Sequence, residues 1–218
     1  MKNDVSPIIL RNGMVFDDPL SLARHFIRKD GSYAAYDEPY VAHNNNFLMT
    51  DLMVARKLKS RTGCAVEEAI MHRTPELEKA LAKILPESSL LSNSDEIPWH
   101  ALEELFEIML SISRVGISVA TKVLHKKRPG LIPILDSVLQ SYLRAVDSIP
   151  DLTNAKLAIE FVRSYKKDLD ANADSLRRMR AELKDGGLYL SECRLLDIFL
   201  WAYSGTYIPP FRKANLVV

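Results

Sequence analysis

Two cysteines in 218 residues, Cys64 and Cys193, are too few and too far apart for a disulfide framework, a four-cysteine zinc site or an iron–sulfur cluster. They predict packed thiols. Long apolar runs are also missing. Charge breaks every hydrophobic stretch well short of the roughly 20 residues that span a bilayer, and Met1-Lys2-Asn3-Asp4 leads into no secretory hydrophobic region. The expected location is the cytoplasm, with no membrane contact. Nor is there an excess of one charge sign: 29 Lys and Arg against 28 Asp and Glu leave a formal net charge of +1. Any affinity for a polyanion must therefore come from local patches. Histidines 25, 43, 72, 100 and 125 show no ligand spacing, no histidine lies near Cys64, and Gly186-Gly187 lacks the pattern of a phosphate loop. No metal or cofactor is expected. Strand signals are few, Val5 to Leu10 offering one short edge.

What is present is helical periodicity. With 47% hydrophobic and 26% charged residues the chain can bury one full core, or two small lobes sharing an interface. Pro19 to Ile27 starts with a first-turn proline after two aspartates. Residues 30–46, rich in Asp, Gly, Tyr, Pro and Asn, favour a loop. Thr50 to Leu58 suits a half-buried helix that stops before Thr62-Gly63, and Thr74-Pro75-Glu76 opens another running to about Leu85. The Ser/Asn/Asp-rich stretch from Ser88 to Glu96 is the best boundary. It divides the chain into 1–98, 99–150 and 151–218, three segments of one integrated domain.

Beyond that boundary, Leu102, Leu105, Phe106, Met109 and Leu110 form one apolar stripe on a helix from Trp99 to Leu110, and Ile117 to Lys127 repeats the theme. An amphipathic helix follows Asp136, and Pro150 interrupts before a helix from about Thr153 to Lys167. A charged segment around Leu176 to Arg180 and a last strong helix, Cys193 to Tyr203, complete the pattern. The reading is all-α.

Two basic groups stand out, Lys122-His125-Lys126-Lys127-Arg128 and Arg56-Lys57-Lys59-Arg61. Between the Trp99 and Ile117 helices lies a tight turn, Ile112-Ser113-Arg114-Val115-Gly116. A turn of this kind ahead of a helix leaves amide N–H groups unpaired and pointing outward, where they and the helix dipole attract a phosphate. Arg114, Val115, Gly116, Ser118 and Lys122 are the candidate phosphate-binding residues. Twenty residues after Gly116, the apolar approach Leu131-Ile132-Pro133-Ile134-Leu135 delivers an acid, Asp136, to the start of the next helix. As a helix cap it accepts amides near Val138 or Leu139, a contribution of about 1 kcal/mol. A carboxylate so held is equally suited to chemistry, and both readings stand.

The order of hairpin, basic helix, apolar run and acid resembles the helix-hairpin-helix DNA glycosylases, particularly the adenine-specific and endonuclease III branches. The segment Pro133-Ile134-Leu135-Asp136 is very similar to that of the adenine-specific enzymes. The resemblance is strong over residues 112–146. It implies a two-lobed helical fold, DNA as partner, and Asp136 as the catalytic acid that stabilises positive charge on the sugar as a glycosidic bond breaks. The family's usual hairpin is Leu-Pro-Gly-hydrophobic-Gly; here only the second glycine remains, with Arg114 at the first. Where bifunctional members place a Schiff-base lysine this chain has Ser118, which implies a water-driven reaction without strand cleavage. The family's iron–sulfur cluster, present in several members, cannot form here.

Other candidates are open. Thr50-Asp51 can supply a second acid or merely begin a solvated helix, and Tyr33, Tyr36, Asp37 and Tyr40 can stack a base or pack a loop. Asp197, which interrupts an apolar run, needs a partner such as Arg194 if it faces inward. The sequence thus supports a DNA-binding helix-hairpin-helix protein, with base excision as its possible activity. The alternatives are a non-catalytic module for DNA or protein, or an enzyme acting on a nucleotide or small glycoside.

Overall fold

The apolar stripes read from the sequence meet in one continuous core, drawing on side chains from Ile8 to Ala202. The computed structural model describes residues 5–29, 35–37, 45–58, 63–152 and 154–203. A two-stranded antiparallel hairpin, β1 (Ile8–Ile9) and β2 (Val15–Phe16), leads into ten α-helices of eight residues or more among these residues, besides a short 3-10 helix at Ser94–Glu96. They are α1 (Pro19–Lys29), α2 (Met49–Arg56), α3 (Cys64–His72), α4 (Thr74–Leu81) and α5 (Trp99–Leu110). The remainder are α6 (Ile117–Lys127), α7 (Ser137–Val146), α8 (Asn154–Ala171), α9 (Ala173–Asp185) and α10 (Glu192–Tyr203). The protein is mostly helical, as its periodicity predicts. Among the described residues no helix is long and apolar enough to cross a membrane.

Helix α5 is central. Its stripe of Leu102, Leu105, Phe106 and Met109 is fully buried, and it packs most extensively against α8, with α4 along its side. Burial on this scale contributes roughly 1.5–3 kcal/mol for each large side chain, so α5 acts as the hub of the core. Helix α10 carries no charge between Leu195 and Tyr203 except Asp197, and it sits among α1, α7, α8 and α9. Helix α2 lies on α6.

Besides α9, which the sequence showed only as a charged segment, two elements escape the sequence reading. Helix α3 is one; Arg73 closes it and opens α4 with no intervening loop, so no turn residue announces the break. Strand β2 is the other, only two residues long. The N-terminal hairpin is tied down from a distance. Arg11 donates to Asp147 at 2.7 Å, to Asp168 at 3.0 Å and to the Ser164 carbonyl at 2.8 Å, while Asn172 brackets Ile9 through both its amide groups. Burial works against charge on Asp147, but hydrogen bonds from Ser164, Arg11 and Lys167 outweigh it and hold the carboxyl well below the usual range.

Candidate functional site

The acid-bearing segment is threaded between α6 and α10, and each of its backbone amides from Leu131 to Leu135, with the carbonyls of Ile132 and Leu135, has a hydrogen-bond partner. The His125 ring donates Nδ1–H to the Ile132 carbonyl at 2.6 Å. Leu135 donates its amide to Thr121 Oγ1 at 3.0 Å, and Gln140 reaches back to the Leu135 carbonyl at 2.8 Å. The Ile134 amide points at Asp197 Oδ2, 3.4 Å away. With Ile132, Ile134 and Leu135 all buried, these bonds keep the segment from fraying and fix where Asp136 emerges.

Asp136 is the N-cap of α7. Its Oδ1 accepts the amides of Val138 (3.0 Å) and Leu139 (3.1 Å), the bonds expected of a capping acid. Its Oδ2 accepts the indole N–H of Trp201 from α10 at 2.7 Å, a partner 65 residues away that the sequence did not suggest. Asp136 is 6% exposed. Three donors thus converge on one carboxylate that keeps a narrow opening.

Close to it lies Lys122, buried, with Nζ donating to the Leu58 carbonyl at 2.9 Å. Burial lowers its pKa, and the Asp136 carboxylate acts in the opposite direction. The candidate phosphate-binding lysine is therefore turned inward, toward the end of α2, and its ammonium is removed from the surface that the hairpin occupies. The rest of the predicted basic patch is corrected in the same way. His125 is buried and its pKa is pushed down to about 3 by desolvation, so it is neutral. Lys127 forms an ion pair with Asp51 at 2.6 Å, both side chains at or below 1% exposure, and also donates to the Asn46 carbonyl. Arg128 is fully buried and donates to the carbonyls of Leu81, Ile84 and Lys127 and to Asn45, closing the C-terminal end of α4. Only Lys126 keeps partial exposure, above the Tyr36 ring. What reads as a cationic stripe is a set of buried supports.

In the second basic group, Arg56 pairs with Glu67 and Lys57 donates to the Ala35 carbonyl; Lys59 and Arg61 lie outside the described residues. So do Tyr33 and Tyr40. Tyr36 is buried against Leu58 and Ile134, with its hydroxyl donating to the Lys122 carbonyl at 2.9 Å, and Asp37 binds Arg194 through both oxygens. These two side chains pack residues 35–37 onto α6 and α10. Asp51, read as a solvated helix start or second acid, is instead fully buried; its Oδ2 accepts the Leu48 amide and its Oδ1 has no hydrogen-bond partner. Asp197 does face inward. Tyr165 donates to it at 3.0 Å, Arg194 acts on it only through space, and desolvation raises its pKa well above the carboxylate range.

The hairpin keeps its shape despite the lost glycine. Arg114 takes φ +68°, the left-handed conformation that glycine adopts without strain, and Val115 donates its amide to the Ile112 carbonyl at 3.1 Å to close the turn. Val115 is buried and Arg114 and Gly116 are exposed. Gly116, at φ −95° and ψ 173°, is the N-cap of α6 and provides no side-chain cap. The first in-helix amide bond is that of Ala120 to the Gly116 carbonyl, so the amides of 117–119 lie ahead of the helix's own acceptors. Ser118 stands half-exposed beside them. Arg114, Val115, Gly116 and Ser118 therefore sit together, while Lys122 does not join them. Among the described residues no group of three or more His, Cys, Asp or Glu side chains is placed to hold a metal.

The fold and this site define a helical protein with an exposed hairpin–helix unit and, at the start of the helix after it, a capped, nearly enclosed aspartate. Residues 21–204 match the model of a family of unknown function, DUF6308, and the chain belongs to that family. No curated protein matches the chain, and no solved structure does.

Proposed function

We propose that this protein binds the sugar–phosphate backbone of duplex DNA through its Arg114-Val115-Gly116 hairpin, as a helix-hairpin-helix protein. One observation carries the reading: Arg114 adopts the left-handed turn geometry that leaves an exposed, uncapped helix N-terminus at Gly116. Amides there hold an anion through the helix dipole, and Arg114 adds a guanidinium at the rim. Such contacts position a duplex without reading sequence. Titration of a mixed-sequence duplex by fluorescence anisotropy should give an affinity that falls steeply with salt, about 0.9 in the log–log slope for each phosphate neutralised. A flat salt response would end the proposal.

A second reading is base excision on a two-lobed glycosylase fold, favoured by the position of Asp136. In that reaction the bond between C1′ and the base nitrogen breaks, its electron pair leaves with the base, and water adds to C1′. Asp136 would stabilise the charge on the sugar, and the flipped base would have to reach it. With Ser118 in the lysine slot, the reaction proceeds without a covalent amine intermediate; a borohydride-trapped adduct would contradict it. Asp136→Asn leaves one oxygen to meet two amides and an indole, so it costs about 1–3 kcal/mol of stability on its own. Asp136→Asn combined with Trp201→Phe removes the surplus donor and separates folding from chemistry. Free base released by wild type across a lesion panel and lost in that double variant, with Trp201→Phe alone still active, would establish excision. Asp136 at 6% exposure with both oxygens engaged is the geometry of a cap, which is why backbone binding is the primary reading.

A further inference from the structure

Helix α1 buries Leu20, Leu22, Ala23, Phe26 and Ile27 in the core, so the opposite face is fixed outward. On that face Ser21, Arg24, His25 and Arg28 surround a surface hollow of about 380 Å3. Among the described residues neither Arg24 nor Arg28 has a carboxylate within ion-pair distance, whereas Arg11, Arg56, Arg73, Arg163, Arg177, Arg180 and Arg194 each have one. Asp17 and Asp18 stand at the other end of the helix, where Asp18 Oδ1 accepts the Ser21 amide; Asp30, the acid nearest to Arg28 in sequence, lies outside the described residues.

Two like charges at i and i+4 repel across one helical turn and cost a few tenths of a kcal/mol. An anion seated between them reverses that sign. Guanidinium groups about 6 Å apart along a helix suit phosphate oxygens, which their planar forks can hold in pairs. The same face presents no large apolar side chain: every bulky hydrophobic residue of α1 is turned into the core. It therefore has nothing to sink into a bilayer, unlike a helix built to lie on a membrane.

We infer that the Arg24–Arg28 face of α1 is a second contact for the phosphate backbone of nucleic acid, separate from the hairpin at α6. The inference rests on the DNA reading above and extends it: α1 packs on α10 while the hairpin joins α5 to α6, so the two contacts belong to different elements of the fold. Arg24→Gln with Arg28→Gln, both at the surface, should leave thermal stability unchanged and lower the log–log salt slope of duplex binding by about 1.8, for two phosphates released. Arg24→Lys with Arg28→Lys should restore most of that slope. An unaltered slope in the glutamine variant, with wild type still binding DNA, overturns this inference and spares the hairpin. Absence of salt-dependent DNA binding in wild type overturns both. Loss of binding to phosphatidylserine vesicles with DNA binding untouched assigns the face to lipid and likewise overturns it.

Discussion

Replacing Gly116 with aspartate should separate folding from DNA binding, because the fold and the proposed ligand compete for the same amides. The backbone at Gly116 is already extended, and a Cβ placed there meets nothing within 4 Å, so the new side chain enters without strain. Its carboxylate would accept the amides of Ser118 and Val119, as Asp136 does for α7. Aspartate exceeds glycine as an N-cap by only a few tenths of a kcal/mol, so thermal stability should hold or rise slightly. For DNA the outcome is opposite. The phosphate loses two hydrogen bonds of the charge-assisted kind, about 1.5–3 kcal/mol each at most, and meets a like charge. Taking the value of one such bond as the net loss, affinity should fall roughly tenfold to a hundredfold, with the salt slope lower by about 0.9. Gly116→Ala, which leaves the amides open, should bind nearly as wild type does. Anisotropy titrations at several salt concentrations, beside melting curves, read both effects. A Gly116→Asp protein that folds normally and binds DNA within twofold of wild type would refute the hairpin as the contact.

Other expectations concern the buried charges. Lys127→Met should destabilise the fold by about 3–5 kcal/mol, since it strands the Asp51 carboxylate in the core; adding Asp51→Leu should recover much of the loss, and chemical denaturation of the pair of variants tests it. His125 is neutral in the fold, with its pKa pushed down to about 3, but takes up a proton in the unfolded chain below its ordinary value near 6.5. The unfolded state therefore binds more protons between those limits, and stability should fall as pH drops through that window, by up to about 1.4 kcal/mol per pH unit. The same stability measured in His125→Gln should show a shallower acid limb; an identical limb would show that other groups control it. Asp147, whose pKa is depressed, contributes stability above its unfolded value that is lost as pH falls further, so Asp147→Asn should flatten the lower end of the curve.

The sequence by itself determined the local grammar. Apolar spacing set α5 from Trp99 to Leu110 and α6 from Ile117 to Lys127, and the short reach of a capping bond made the role of Asp136 at Val138 and Leu139 readable from adjacent residues. The hairpin at Arg114 to Gly116 was legible for the same reason, although only the structure showed that arginine carries the positive φ. Tertiary structure decided which charges reach water. Lys122, His125, Lys127 and Arg128 look like a basic surface in sequence, yet the partners of three of them, Leu58, Asn46, Asp51, Leu81 and Ile84, come from helices and loops laid down far earlier in the chain. Trp201 above Asp136 is of the same kind. A helical period tells which residues share a face, but burial of a face depends on what packs over it. That covering is made by contacts between distant segments, which no local pattern encodes.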